Sequence, residues 1–224
     1  MSVRLAVFDC DGTLVDGQAA VVQAMLAAFA AVGLAAPSAH AVRRIVGLSL
    51  TQAMARLAPA ASAAQNAALV ESYKQAFRAA REAGELVEPL YPGIRPLLDS
   101  LRAQGWTLAV ATGKSRRGLD HCLAMHGLSA HFSSLQTADN HPSKPHPAML
   151  EAALDECLAK PAAAVMIGDT VFDIEMGRAA GVRALGVGWG YHEPAELIAA
   201  GADAVAGDAA RLLERMARLL EMMG

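Results

Sequence analysis

The stretch RLAVFDCDGTLVD, from Arg4 to Asp16, opens on an apolar run, Leu5 to Phe8, and breaks at once into Asp9-Cys10-Asp11-Gly12-Thr13. An apolar run of that length stopped by Gly reads as a buried strand ending in a tight turn. Side chains alternate along a strand, so Asp9 and Asp11 share one side and Cys10 turns to the core. One Asp at such a place is accounted for by a turn or a helix cap. A second carboxylate beside it costs stability, and a cation is the cheap relief.

Outward from this stretch the chain changes character twice. Gln18 to Val32 reads as a helix stopped by Gly33, and helical patterns follow over Ser38–Val46, Thr51–Leu57 and Ser62–Ala83. Gly84, Pro89, Pro92 and Gly93 mark a break. Beyond it helices (94–104, 116–125, 147–158, 172–180, 194–200, 209–222) alternate with strands at 106–111, 134–137, 163–167, 183–187 and 202–205. Such alternation implies a parallel sheet with helices on both faces, here carrying an all-helical insert between its first strand and the rest.

Composition narrows the class. The 224 residues are 54% hydrophobic but only 4% aromatic, which favours Ala-rich helices on an aliphatic core. A net charge of −3 and the lack of a Lys/Arg tract give no electrostatic case for nucleic acid. Cys10, Cys122 and Cys157 lack metal-ligand spacing, and a reducing, cytoplasmic compartment is expected. Residues 17–36 carry no charge, yet they are dominated by Ala and include Gln18 and Gln23, so a helix rather than a membrane span is expected. The seven histidines form no metal pattern, although His146 and His192 fall near loops of interest.

In open parallel sheets ligands bind beyond the carboxyl ends of the strands. The polar residues following the strands are Asp9 and Asp11, then Thr112 of ATGKS, then Asp169 and Thr170, with Asp173 one turn into the next helix. Lys144 of SKPHP lies in a loop that opens a helix. Acids, a hydroxyl and an amine meeting at one edge suit phosphoryl transfer, where a divalent cation and fixed donors must neutralise the phosphoryl oxygens. Magnesium, which takes oxygen ligands and bridges carboxylates to phosphate, is the expected ion. Lys114 and Arg116, just past Thr112, are expected to be surface charges.

DCDGTLVD, Thr112, Lys144 and GDTVFD occur in the order of the four motifs of the haloacid dehalogenase-like phosphohydrolase superfamily, which the chain resembles across its core. The resemblance implies a Rossmann-like doubly wound core formed by residues 1–16 and 86–224, with residues 17–85 a helical cap of the C1 type. It implies Asp9 as a nucleophile forming an aspartyl-phosphate. Asp11 would protonate the leaving alkoxide, activate water and bind the metal through its carbonyl. Thr112, Gly113 and Lys144 would hold the phosphoryl group. Asp169 would ligate magnesium, and Asp173 would assist the metal or orient Lys144.

Retention of Asp11 favours an ester leaving group over a halide or phosphonate. Arg43, Arg44 and the Gly47-Leu48-Ser49 turn resemble the cap's specificity segment, where an Arg could pair with a substrate carboxylate. Asp16 caps a helix or meets substrate. With Gly188-Trp189-Gly190-Tyr191-His192, the chain looks most like the phosphoglycolate phosphatase branch. The function so implied is hydrolysis of a small phosphorylated metabolite by a monomer or homodimer. Pyrophosphatase, sugar phosphomutase and a non-enzymatic phospho-receiver are the alternatives.

Overall fold

The computed structural model describes residues 3–223. Strand β1, Val3–Phe8, lies at the centre of a six-stranded sheet. It is followed by four helices: α1 (Gln18–Val32), α2 (Ala39–Arg43), α3 (Leu50–Leu57) and α4 (Ala63–Glu82). Then come α5 (Ile94–Ala103), β2 (Thr107–Thr112), α6 (Arg116–Met125), β3 (Ser134–Thr137), α7 (Ala148–Glu156) and β4 (Ala159–Gly168). The chain closes with α8 (Val171–Ala179), β5 (Arg183–Val187), α9 (Pro194–Ala199), β6 (Ala204–Ala206) and α10 (Ala209–Met223).

Every strand pairing is parallel, in the order β3-β2-β1-β4-β5-β6. This is the parallel α/β sheet expected from the alternation, in the Rossmann-like form that the resemblance implies. The apolar run of β1 is continuous because both its faces are buried. Leu5 and Val7 pack with Ala109, Met149, Leu150 and Met166 on one face. Ala6 and Phe8 pack with Leu98, Val110, Ile167 and Leu212 on the other. Cys10 joins the second cluster, as the alternation requires.

After β1 the chain lays β2 and β3 to one side and then crosses to place β4 on the other. The order therefore reverses between β1 and β4, where parallel sheets open a crevice beyond their strand ends. Phe8 is level with Ile167, and the Asp9 N–H donates to the Ile167 carbonyl at 2.9 Å. That register sets Asp9 and Asp169 beside each other at the reversal.

The four inserted helices have an apolar cluster of their own, built on Val21, Met25, Phe29, Met54 and Leu69 and extended by Phe172 and Tyr191 from the sheet side. Ser62 and Gln65 form a reciprocal cap at the start of α4, which fixes where this long helix begins.

Several boundaries differ from expectation. The helix expected over 38–46 ends at Arg43, because Ile45, Val46 and Leu48 turn into the insertion's core and Gly47 takes a φ of +98°. Strand β4 starts at Ala159 rather than 163, since Val3 pairs with Ala159 across a register irregularity before the regular ladder from Leu5. The last strand sits at Ala204–Ala206, two residues later than its start was expected.

Candidate active site

Asp9, Lys144, Asp169 and Asp173 form a fully enclosed charged group, each at most 1% exposed. The Lys144 Nζ donates to Asp173 Oδ1 at 2.6 Å and lies 2.9 Å from Asp9 Oδ1. Asp173 Oδ2 accepts from the Thr170 hydroxyl at 2.7 Å and from its backbone N–H at 3.1 Å, so one carboxylate both caps α8 and seats Lys144. Asp169 is held at both oxygens, by the Thr13 hydroxyl (2.7 Å) and the Tyr191 N–H (2.9 Å). Asp9 Oδ1 also accepts from the Cys10 N–H at 2.7 Å, while Asp9 Oδ2 is buried with no partner.

The electrostatics of this group are unbalanced. Ligand oxygens of Asp9, Asp169 and Asp173 lie within 4.8 Å of one another, and the Lys144 ammonium pairs with Asp9 and Asp173 only. Burial pushes the Asp9 carboxyl up to about 7 against the pull of Lys144, with Asp173 adding to the push. Burial, then Asp173 and Asp9, hold Asp169 well above the usual carboxylate range. Lys144 stays well above its ordinary value, since burial, which works against its charge, is outweighed by Asp173 and Asp9. The unpartnered Asp9 oxygen and the surplus of buried carboxylate fit a hard divalent cation with oxygen ligands.

Asp11 departs from the expectation that it would crowd Asp9 until a metal relieved both. Its Oδ1 accepts from the Lys114 Nζ at 2.7 Å, and the same ammonium binds Glu88 Oε1 at 2.8 Å. Lys114, expected on the surface, is only 10% exposed along its side chain. Burial disfavours its charge, but Asp11 and Glu88 overcome this and hold its pKa well above the ordinary value. The Asp11 carboxylate therefore stands outside the three-acid cluster. Glu88 lies on the segment returning from α4 to the sheet, a contact 26 residues long in sequence that no local pattern signals.

A cavity of about 290 Å³ opens over this rim, with Asp9, Asp11, Thr112 and Gly113 among its lining residues. Lys144, Asp169 and Asp173 lie behind Asp9, outside the lining. Gly47 lines the cavity as well, and its turn is pressed onto the core. A Cβ on Gly113 would collide with the Gly47 and Leu48 carbonyls, so only glycine permits this approach.

Arg43, in contrast, is exposed and absent from the lining. Its neighbour Arg44 makes a bidentate pair with Glu196 of α9, at 2.6 and 2.7 Å. Asp16 accepts from the Gln18 N–H at 3.2 Å, from a position just ahead of Gly17, the first residue flanking α1, and does not line the cavity.

The segment after β5 proved to be structural support for the acids. Tyr191 N–H holds Asp169, the Trp189 indole donates to the Thr13 carbonyl at 3.1 Å, and the His192 Nδ1 accepts from the Val171 N–H at 3.2 Å. Gly190 leaves room for Asp169, whose Cβ and carboxyl a side chain there would strike. His192 packs under the rim without lining the cavity, and His146 accepts from the Ala148 N–H, also away from it.

A model of the haloacid dehalogenase-like hydrolase family matches residues 6–187, from β1 through β5. The probable phosphatase IndB of Dickeya dadantii is 36% identical over 204 residues, covering 88% of this chain and 86% of that protein. A phosphoglycolate phosphatase of Vibrio parahaemolyticus is 29% identical over 225 residues, covering 96% of each. Among solved structures, the haloacid dehalogenase-like family hydrolase SP0104 of Streptococcus pneumoniae superposes with a TM-score of 0.83 at 26% identity, over 96% of this chain and 98% of that one. The chain belongs to the haloacid dehalogenase-like hydrolase family. Among the described residues no helix is long and apolar enough to cross a membrane.

Proposed function

We propose that this phosphatase hydrolyses a small phosphate monoester, of which phosphoglycolate is the leading example, with magnesium and through an aspartyl-phosphate on Asp9. The observation that carries the reading is the buried Asp9 carboxylate, fixed through one oxygen by Lys144 and the Cys10 N–H and left with its other oxygen free. A nucleophile needs that combination of orientation and an uncommitted lone pair. The likeness to named phosphatases over most of the chain supports the same reaction class.

In this mechanism Asp9 attacks phosphorus. Thr112 and the backbone N–H groups around Gly113 receive the phosphoryl oxygens, helped by the positive field of Lys144. Asp11 delivers a proton to the departing ester oxygen, then takes one from the water that cleaves the aspartyl-phosphate. Asp9, Asp169 and the Asp11 carbonyl would hold the magnesium, with Asp173 supporting from behind through Lys144. Bound there, the ion supplies charge neutralisation for the phosphoryl oxygens. Helices α1–α4, residues 17–85, act as the cap that excludes water from the cavity, over a core of residues 1–16 and 86–224. The three free cysteines suit a cytoplasmic setting.

A screen of phosphate monoesters, pyrophosphate and sugar phosphates, with and without magnesium, tests the reading. Hydrolysis of small monoesters that stops on chelation is expected; preference for pyrophosphate, or transfer to a second hydroxyl, would replace it. Burial raises the Asp9 carboxyl to about 7 and holds that of Asp169 above the usual carboxylate range, so magnesium competes with protons for these oxygens. Its apparent affinity is therefore expected to rise with pH through about 7, with proton release visible by calorimetry in buffers of different ionisation enthalpy. Binding without proton release at pH 7 would contradict this.

Lys114 is a positioning residue in this scheme, since its ammonium, 2.7 Å from Asp11 Oδ1 and 2.8 Å from Glu88, fixes where the Asp11 carboxyl group points. Lys114→Met is expected to lower kcat for alkyl phosphates by about 10²-fold while affecting p-nitrophenyl phosphate far less, because a good leaving group needs no proton. Equal losses on both would make the role of Lys114 structural.

A further inference from the structure

Of the buried carboxylates among the described residues, Asp9, Asp11, Asp169 and Asp173 have parts in the reaction above, and Glu88 has none. Glu88 is 8% exposed, lines the cavity and puts Oε1 2.8 Å from the Lys114 ammonium, whose other carboxylate partner is Asp11 at 2.7 Å. Lys114 and Asp11 already balance each other. A second buried carboxylate costs desolvation and repels the anion that the cavity has to admit. Its backbone is nonetheless held from two sides. Val15 bridges Leu90, and the Asp16 N–H donates to the Pro89 carbonyl at 2.8 Å, which straps this segment to the turn that follows Asp9 and Asp11. From α6 the His126 Nε2 donates to the Glu88 carbonyl at 2.8 Å. A Cβ on Gly17 would stand 3.3 Å from both Asp11 Oδ1 and Glu88 Oε1, so the two acids converge around the ammonium.

We propose that Glu88 is a positioning residue that acts through Lys114: it anchors the ammonium beside Asp11 and keeps it off the phosphoryl group. This rests on the phosphatase reading above and deepens it. Lysine carries a compact charge on a flexible four-carbon stem, so its ammonium goes to the strongest anion within reach. Lys114 lines the same cavity as Thr112 and Gly113, and a bound phosphoryl group competes with Asp11 for it. Anchored by Asp11 alone, the ammonium would turn toward the phosphate and leave the Asp11 carboxyl unaimed. That move strengthens the ground state and weakens the transition state. Glu88, Asp11 and the Phe77 ring of α4, whose centroid lies 5.8 Å from the Lys114 Nζ, box the charge in. The Lys114 backbone N–H donates to the Thr112 hydroxyl at 3.2 Å. Its backbone thus serves the phosphoryl site while its side chain is kept out.

The test is a double-mutant cycle on the protein with magnesium, read with inorganic phosphate, ethyl phosphate and p-nitrophenyl phosphate. Glu88→Gln is expected to bind inorganic phosphate about fivefold more tightly by calorimetry and to lose about tenfold in kcat/KM on ethyl phosphate. On p-nitrophenyl phosphate it should stay within about threefold of wild type. Glu88→Asp, which keeps the charge on a shorter stem, is expected to fall between wild type and Glu88→Gln in both respects. In a Lys114→Met background Glu88→Gln is expected to change neither phosphate binding nor kcat/KM by more than about twofold, because its route of action is gone. Lost activity with unchanged or weaker phosphate binding would make Glu88 structural and overturn the proposal. Tighter phosphate binding that persists without Lys114 would overturn it too, since deletion of one negative charge would then be the whole effect. If the wild type hydrolyses neither ester the phosphatase reading falls, while the phosphate-binding cycle still decides whether Glu88 works through Lys114.

Discussion

Asp9→Asn is expected to lower turnover by about 10⁴-fold or more while the protein stays folded. The amide keeps an oxygen to accept from the Cys10 N–H and from Lys144, as Asp9 Oδ1 does at 2.7 and 2.9 Å. It has no carboxylate to form an acyl-phosphate. The separation of activity from folding follows from the electrostatics. Burial raises the Asp9 carboxyl to about 7, so ionised Asp9 is a cost to the metal-free fold at neutral pH, and an amide removes that cost. Thermal unfolding of the metal-free variant is therefore expected at or above the wild-type temperature. Mass spectrometry after a brief pulse of substrate should show a phosphoryl adduct on wild type only. A folded variant within tenfold of wild-type turnover would rule out covalent catalysis at this position.

What the sequence made legible follows from where information is local. β1 could be read because a strand buried on both faces must be apolar throughout, and the Asp9-Cys10-Asp11 alternation then assigned each side chain its side. Asp169 and Asp173 were legible because strand end, cap and helix start are contiguous. Lys114 was misjudged as a surface charge because its partners, Asp11 and Glu88, lie 103 and 26 residues away. Arg43 was favoured over α4 because a turn in the insertion attracts attention, whereas which stripe of a long helix faces the cavity depends on how the insertion packs on Phe172 and Tyr191. The support of Asp169 by residues 189–192 was hidden for a different reason. A backbone N–H carries no side-chain identity, and Gly190 alone hinted that something approaches closely.

Lys144→Met is expected to be the most destabilising single change at this site, by about 3–5 kcal/mol at neutral pH. Lys144 is fully buried, and its ammonium is the shared neighbour of Asp9 and Asp173. Methionine fills similar volume, so packing is largely kept and the loss is electrostatic. Asp173 would retain Thr170, but its charge and that of Asp9 would have no counterion inside the protein. The Asp9 pKa, which burial raises to about 7 even with Lys144 beside it, would rise further above that of the unfolded chain. The penalty is therefore present above the unfolded carboxylate range and is relieved as pH falls and Asp9 takes up a proton. Urea titrations between pH 5 and 8 should show the gap to wild type widening with pH, and magnesium should narrow it by supplying the missing positive charge. Turnover is expected to drop by about 10²-fold or more with the cation present, because the phosphoryl oxygens lose a fixed positive neighbour. Lys144→Arg, which keeps the charge in a bulkier form, should recover stability before it recovers turnover. A stability gap that stays constant across that pH range would mean that Lys144 fills space rather than balancing Asp9 and Asp173.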